Sequence, residues 1–165
     1  ASAIDEWLVA RLKQRVAEFN TAMANYDLRR AVEISHYELI KDINWYTRRG
    51  GDNSIVGRTV LESWTYLISV STPHLAEEWG KCLGLENMVS ASEMKDVGSV
   101  SNQEKSILDY EFIMRAVLES ARKVKGIAEK HLQSKAEKLT LIISPEWKNT
   151  LSREAITYLN NGGNV

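Results

Sequence analysis

The chain has one cysteine, Cys82, and two prolines among its 165 residues. A lone cysteine excludes an intrachain disulfide and a thiolate cluster for zinc, and it makes a reducing cytoplasmic setting the expectation. So few prolines remove the commonest interruption of long helices. No apolar run approaches the length of a membrane span, and there is no signal-peptide core, so no membrane partner is expected. The phosphate loops G-x-x-x-x-G-K-[ST] and G-x-G-x-x-G are absent, as are the nucleophile elbow G-x-S-x-G, internal repeats and low-complexity tracts. With them go the familiar signatures of nucleotide hydrolysis, dinucleotide binding and acyl transfer. The opening "ASA" and closing "NNGGNV" read as the ends of a fragment of something longer.

What is present suits one core, or one core with a small appendage: 44% hydrophobic residues, 26% charged residues and a net charge of −1. That balance gives no global sign of a nucleic-acid binder, but its distribution is uneven. Residues 1–98 carry 11 Lys/Arg against 14 Asp/Glu, whereas residues 99–165 carry 10 against 8. Six of the basic residues (Arg122, Lys123, Lys125, Lys130, Lys135, Lys138) crowd into 122–138 beside only Glu129 and Glu137. Positive charge is therefore local, as a binding patch requires.

Helical spacing dominates the first hundred residues. Ser2 and Asp5 form a capping pair ahead of Leu8, Leu12, Val16, Phe19, Met23 and Tyr26. Asp27 caps a second helix carrying Leu28, Val32, Ser35, Leu39, Ile43 and Tyr46, which Arg48-Arg49-Gly50-Gly51 closes. Asp52, Asn53 and Ser54 offer caps for a third, with Val56, Val60, Trp64, Leu67 and Ile68. Pro73 opens a short fourth that Gly84 ends. Connections this short predict antiparallel neighbours in an up-and-down bundle. Periodicity lapses from residue 85, and 89–101 reads as a linker. Asn102 then starts the most regular helix, with Ile107, Tyr110, Met114, Val117, Ala121, Val124 and Ala128 at alternating spacings of three and four. "KLTLIIS", 138–144, reads as a strand, and Trp147 to Leu159 as a last helix. The expected fold is mainly α: a helical bundle over 1–88, the linker 89–101, and an incomplete small α/β module over 102–165.

Four constellations bear on chemistry. "HLAEE", 74–78, lies one substitution from the H-x-x-E-H signature of metal hydrolases, with His74 and Glu78 one helical turn apart. No third ligand has a supporting motif, and acidic side chains suit the start of a helix. The expectation is no metal, and no catalytic residue here or at His36. "INWYTRRG", 43–50, sets Trp45 and Tyr46 beside Arg48 and Arg49, with Lys41 one to two turns earlier. Arginines on phosphates and an aromatic face for stacking are one reading; a partly core pair with a capped helix end is the other. Arg115, Arg122, Lys123, Lys125 and Lys130 present the same choice between a phosphate track and a solvated face.

Several segments, in order, resemble the C-terminal region of class I aminoacyl-tRNA synthetases. "DEWLVARLKQRVAEFNTAMANYDLRRAVEISHYELIKDINWYTRR" is similar to the opening of that family's anticodon-binding helical domain. "VLESWTYLISVSTPHLAEEWGKCLG" follows the pattern L-x-P-[FI]-x-P-[FH]-x-[AS]-E-E-[LM]-W-x-x-L-G. Val70-Ser71 replaces its usual Pro-Phe and Trp79-Gly80 its Leu-Trp, which alters packing of the fourth helix in detail. "ILDYEFIMRAVLESARKV" and "KLTLIISPEWK" look like the archaeal and eukaryotic type of leucyl-tRNA synthetase. The isoleucyl, valyl and methionyl enzymes share the helical domain, so the leucine assignment rests mainly on 103–148.

The resemblance implies a tRNA-binding fragment that positions leucine isoacceptors for leucylation. The chemistry itself belongs to a catalytic domain bearing HIGH and KMSKS signatures, neither of which occurs here. It implies no cofactor for this chain, ATP and Mg in the parent's catalytic domain, and the parent's catalytic and editing domains as partners. By that route the tRNA-binding candidates are Lys41, Trp45 (stacking or packing), Arg48, Arg49, Lys123, Lys125 and Lys130. A helical protein-interaction module without an RNA role, and a small hydrolase using His74 and Glu78, are the competing readings.

Overall fold

A computed structural model describes residues 2–132 and, beyond them, 135, 138, 140, 142, 145–148, 150, 151, 153 and 154. The fold is a mainly α helical bundle. It comprises α1 (Ala3–Ala24), α2 (Leu28–Val32), a π-helical segment (Glu33–Glu38), α3 (Leu39–Arg48), α4 (Ser54–Ser69), α5 (Pro73–Leu83), a 3-10 turn (Val89–Ala91) and α6 (Asn102–Leu132). The chain divides into two compact units, Ala1–Ala116 and Val117–Val165, and α6 begins in the first and ends in the second. The sequence limits 1–88, 89–101 and 102–165 follow composition; packing groups the first part of α6 with the bundle. Of the expected strand over 138–144, residues 138, 140 and 142 are described and are not extended in a ladder, and the remainder lies outside the described residues. Of the expected last helix, 147, 148, 150, 151, 153 and 154 are helical, and 155–159 lie outside them.

Local chemistry sets the helix starts. Ser2 Oγ accepts the Asp5 N–H at 3.3 Å while Asp5 accepts the Ser2 N–H at 2.8 Å, a reciprocal cap. Asp27 accepts the Arg30 N–H at 3.0 Å, and Asn53 accepts those of Ile55 and Val56 at 3.1 and 3.4 Å. The turn before Asp27 holds Tyr26 at φ 57°, so the tyrosine expected to end the α1 stripe is 90% exposed instead.

Contacts between helices show the antiparallel order. Asp5 meets Tyr46, Arg11 and Arg15 meet Asp42, and Glu18 meets Arg30, so α1 runs against α2–α3. Asn53 lies beside Tyr46 and Trp64 beside Ser35, so α4 runs back again. Leu8, Leu12, Ile34, Leu39, Val60 and Ile68 are each at most 2% exposed. At about 1.5–3 kcal/mol per fully buried aliphatic side chain, these six contribute roughly 9–18 kcal/mol to the favourable side of folding. A second small cluster joins Ile68, Ala76 and Val89, with Trp64, Tyr66, Trp79 and Leu85 packed on it. Gly80 makes it possible: a Cβ there would lie 2.7 Å from Val89 Cγ2.

The second predicted helix is continuous but not uniform. Its buried residues are Ala31, Ile34, Ser35, Leu39, Asp42, Trp45 and Tyr46, with a five-residue step from Ile34 to Leu39. That step is the π turn, where the Leu39 N–H reaches back to the Ile34 carbonyl. Where the ladder returns from i+5 to i+4, one carbonyl is passed over; here the Ser35 carbonyl accepts the Trp64 indole N–H at 2.6 Å. Of the expected stripe, Ser35, Leu39 and Tyr46 are buried and Val32 and Ile43 half-buried, and Ala31, Ile34, Asp42 and Trp45 widen the inward face.

Helix α6 departs further from its periodicity. Tyr110 and Val124 are 72% and 59% exposed, although both lie on the expected apolar stripe. Its first half meets the bundle through charged groups instead: Glu104 with Lys13 at 2.6 Å, and Glu111 with Arg49 at 3.2 Å.

Candidate nucleic-acid interface

The candidate surface begins with the amphipathic geometry of α3. Its inward residues Leu39, Asp42, Trp45 and Tyr46 are each no more than 6% exposed, which leaves Lys41, Asn44 and Arg48 on the solvent side. Lys41 and Arg48 are seven residues apart, two turns along one face. Arg48 also stands in the last turn, where a cation opposes the negative end of the helix dipole.

Ion pairing sorts the cations of the first unit. Arg15 donates to Asp42 at 2.8 Å and to Glu18 at 2.9 Å, and it contacts Glu38. Burial works against charge on Arg15, but the three carboxylates outweigh it and hold its pKa above the ordinary value. Arg30 donates to Glu38 at 2.5 Å; the same contact pushes the glutamate below the usual carboxylate range and the guanidinium above its own. Arg11 reaches Asp42 Oδ2 at 3.2 Å. These charges neutralise one another between α1 and α2–α3, and they leave nothing for an external anion. Lys41, Arg48 and Lys105 are the basic side chains of the first unit with no ion pair among the described residues.

Arg49 is half engaged: its guanidinium donates to Glu111 at 3.2 and 3.4 Å, and the same carboxylate accepts the Trp45 indole N–H at 3.0 Å. Trp45 is 6% exposed, with the Arg115 guanidinium 4.7 Å from its ring centroid. It packs, and it has no open face for a base. Arg115 is likewise turned inward, 6.0 Å from Trp7 and 4.0 Å from Asp42 Oδ1, which is buried without a hydrogen-bond partner. Within the second unit Lys123, Lys125 and Lys130 are exposed on α6, and Lys125 lies 3.8 Å from Glu129. Lys123 and Lys130 share a face, again seven residues apart. Sequence reasoning passed over Tyr37 and Asn44, both exposed on the solvent side of the second helix. Their spacing from Lys41, four residues back and three forward, was the available signal.

The metal-like stretch has other work. Glu77 accepts the backbone N–H groups of Val89 and Ser90 at 3.1 and 3.0 Å and the Ser90 hydroxyl at 2.7 Å. The Ser90 N–H, then its hydroxyl, pull the Glu77 pKa below the usual range. Glu78 pairs with Lys81 at 2.8 Å, and His74 is exposed. Among the described residues no group of three or more His, Cys, Asp or Glu side chains is placed to hold a metal ion. Ser35 Oγ lies 3.0 Å from His36 Nδ1, but Ser35 is 1% exposed and its hydroxyl also donates to the Ala31 carbonyl at 3.0 Å. That contact serves the helix. No helix among the described residues is long and apolar enough to cross a membrane.

The antiparallel bundle thus keeps two unpaired cations, Lys41 and Arg48, on the outer face of α3. Residues 5–140 match the family model described as the anticodon-binding domain of tRNA ligase, and the chain belongs to that family. Within it, the chain is similar to archaeal leucine–tRNA ligases. It is 36% identical over 150 residues to that of Methanococcus maripaludis strain C7, covering 91% of this chain and 15% of the relative. To that of Methanocaldococcus jannaschii it is 34% identical over 147 residues, 89% of this chain and 15% of the relative. To that of Methanothrix thermoacetophila it is 30% identical over 161 residues, 96% and 16%. The resemblance read from residues 5–49, 60–84 and 107–148 is thereby shown, and the chain spans about 15% of the length of the curated relatives it matches.

Proposed function

We propose that this chain binds tRNA as part of a leucine–tRNA ligase. It holds the tRNA body so that the 3′ end reaches a catalytic domain elsewhere in the longer protein. Leucine isoacceptors are the substrate class, ATP and Mg belong to that catalytic domain, and the catalytic and editing domains are its intramolecular partners. Lys41, Arg48 and Arg49 in the first unit, and Lys123, Lys125 and Lys130 in the second, supply phosphate contacts. The observation that carries the reading is the family match over residues 5–140. The unpaired, exposed Lys41 and Arg48 support it, because phosphate contact needs cations not already neutralised by the protein. Near-zero net charge is no obstacle, since positioning needs a local patch.

Filter binding of transcribed leucine tRNA over a range of salt concentrations tests this. The wild-type chain is expected to bind more weakly as salt rises. K41E and R48E are each expected to weaken binding and lower the log–log salt slope by about 1. Equal affinity for tRNA and for an acidic polypeptide overturns the reading. The chain alone is expected to give no leucine-dependent ATP–pyrophosphate exchange. One observation favours a protein-docking role alongside it: Tyr110, Ile113 and Met114, at i, i+3 and i+4 of α6, are all more than 40% exposed and form an apolar face suited to the parent's other domains.

A further inference from the structure

We infer that Tyr37, Lys41 and Arg48 form one RNA-binding ridge, in which the phenol ring stacks on an unpaired base and the two cations hold adjacent backbone phosphates. The inference rests on the tRNA-binding reading and adds to it a base-contacting residue and a preference for unpaired RNA.

Three observations carry it. Tyr37 is 63% exposed, and its hydroxyl makes no hydrogen bond among the described residues, so the ring is not held for the protein's own packing. It precedes Lys41 by four residues, about one turn, at the end of the π segment, and both side chains are exposed. Arg48 lies a further two turns on, about 10 Å along the axis from Lys41. Both carboxylates of the segment 37–48 face inward: Glu38 is committed to Arg15 and Arg30, and Asp42 is 1% exposed against Arg11 and Arg15. The outer face therefore shows two cations, an aromatic ring and the Asn44 amide, with no exposed acid among them.

A lone exposed tyrosine means little. Its place one turn from an unpaired lysine, with both carboxylates between residues 37 and 48 turned to internal arginines, is what points to a polyanion. Helix rotation is fixed by the buried Leu39, Trp45 and Tyr46, so the ridge is presented in one orientation. Stacking selects among polyanions. A duplex hides its base faces and shows backbone, whereas a loop offers an open face to the ring.

The test measures affinity and salt slope of the full chain for two RNAs with equal numbers of phosphates: a hairpin with an unpaired loop, and a blunt duplex. Polyglutamate is the third probe. Y37A is expected to weaken hairpin binding about tenfold or more, to leave duplex binding nearly unchanged, and to keep the salt slope. Y37F is expected to retain wild-type affinity, because the ring and not the hydroxyl makes the contact. K41Q and R48Q are expected to weaken both RNAs and lower the slope. Unchanged melting by circular dichroism checks that each variant is folded. Hairpin affinity within twofold of wild type for Y37A, or equal losses on hairpin and duplex, overturns the ridge while leaving tRNA binding standing. Wild-type binding no tighter to RNA than to polyglutamate overturns both.

Discussion

Replacing Trp64 by phenylalanine removes the bond that holds the π turn. The indole N–H is the donor to the Ser35 carbonyl at 2.6 Å, and Ser35 is 1% exposed, so water cannot take its place. Leaving that carbonyl unsatisfied costs about 1–3 kcal/mol. The indole also packs edge-on against Trp79, with centroids 5.0 Å apart at 74°. Loss of that pair adds about 0.5–1.5 kcal/mol. The expected total is about 1.5–4.5 kcal/mol, read as a lower urea midpoint with an unchanged slope in far-UV circular dichroism. W79F is the matched control, because it disturbs the ring pair and keeps the Ser35 bond; its cost should be about 1 kcal/mol. Hydrogen exchange locates the effect: the Leu39 amide should lose protection in W64F and keep it in W79F. Equal midpoint shifts in the two variants would refute the reasoning, and packing alone would then hold the turn.

Other expectations follow from single sites. A Cβ at Gly51 would lie 2.2–2.4 Å from Tyr46 ring atoms, so G51A should destabilise by about 1–3 kcal/mol in a urea titration. G57A lies within α4 with nothing near its Cβ, and should stabilise by about 0.5–1 kcal/mol in the same assay. Asp5 (by the Tyr46 hydroxyl), Glu38 (by Arg30), Glu77 (by Ser90) and Glu104 (by Lys13) are all held below ordinary carboxylate values. Groups lowered in the folded state contribute stability above their unfolded values, about pH 4, and lose it as pH falls; Tm should therefore drop in acid, and E77Q should flatten that limb. E111Q removes the charge facing Arg49 while keeping an acceptor for Trp45. It should cost under about 1 kcal/mol and tighten tRNA binding a few-fold by filter assay.

Most helix starts were legible because capping is local: Ser2 with Asp5, Asp27, Asn53 and Pro73 each act within four residues of themselves. Gly84, at φ 70°, closes α5 as its position promised. The π turn was not legible, since a five-residue step between Ile34 and Leu39 looks like an imperfect 3.6-residue repeat. Its stabilising partner, Trp64, is 29 residues away. The candidate interface was half legible. Lys41 and Arg48 are basic and face solvent, which helical phase alone suggests. That Arg49 and Arg115 are engaged depends on Glu111 and on Trp7, Trp45 and Asp42, and no local pattern announces those partners. Apolar periodicity misjudged α6 for a related reason: its first half meets the bundle through Glu104, Glu111 and Arg115, residues that a hydrophobic stripe does not count.

The π turn also makes chain length a coded quantity in the second helix. The stretch before it and the stretch after it are phased separately, and one residue of slack between them brings Arg30 to Glu18 and Glu38 while Trp45 and Tyr46 still face inward. Deleting one residue of 33–38 would replace the five-residue π step by a four-residue α step, about 400° of rotation, so both flanks would keep their faces. What a single-codon deletion would remove is the carbonyl passed over at Ser35, and with it the acceptor for the Trp64 indole.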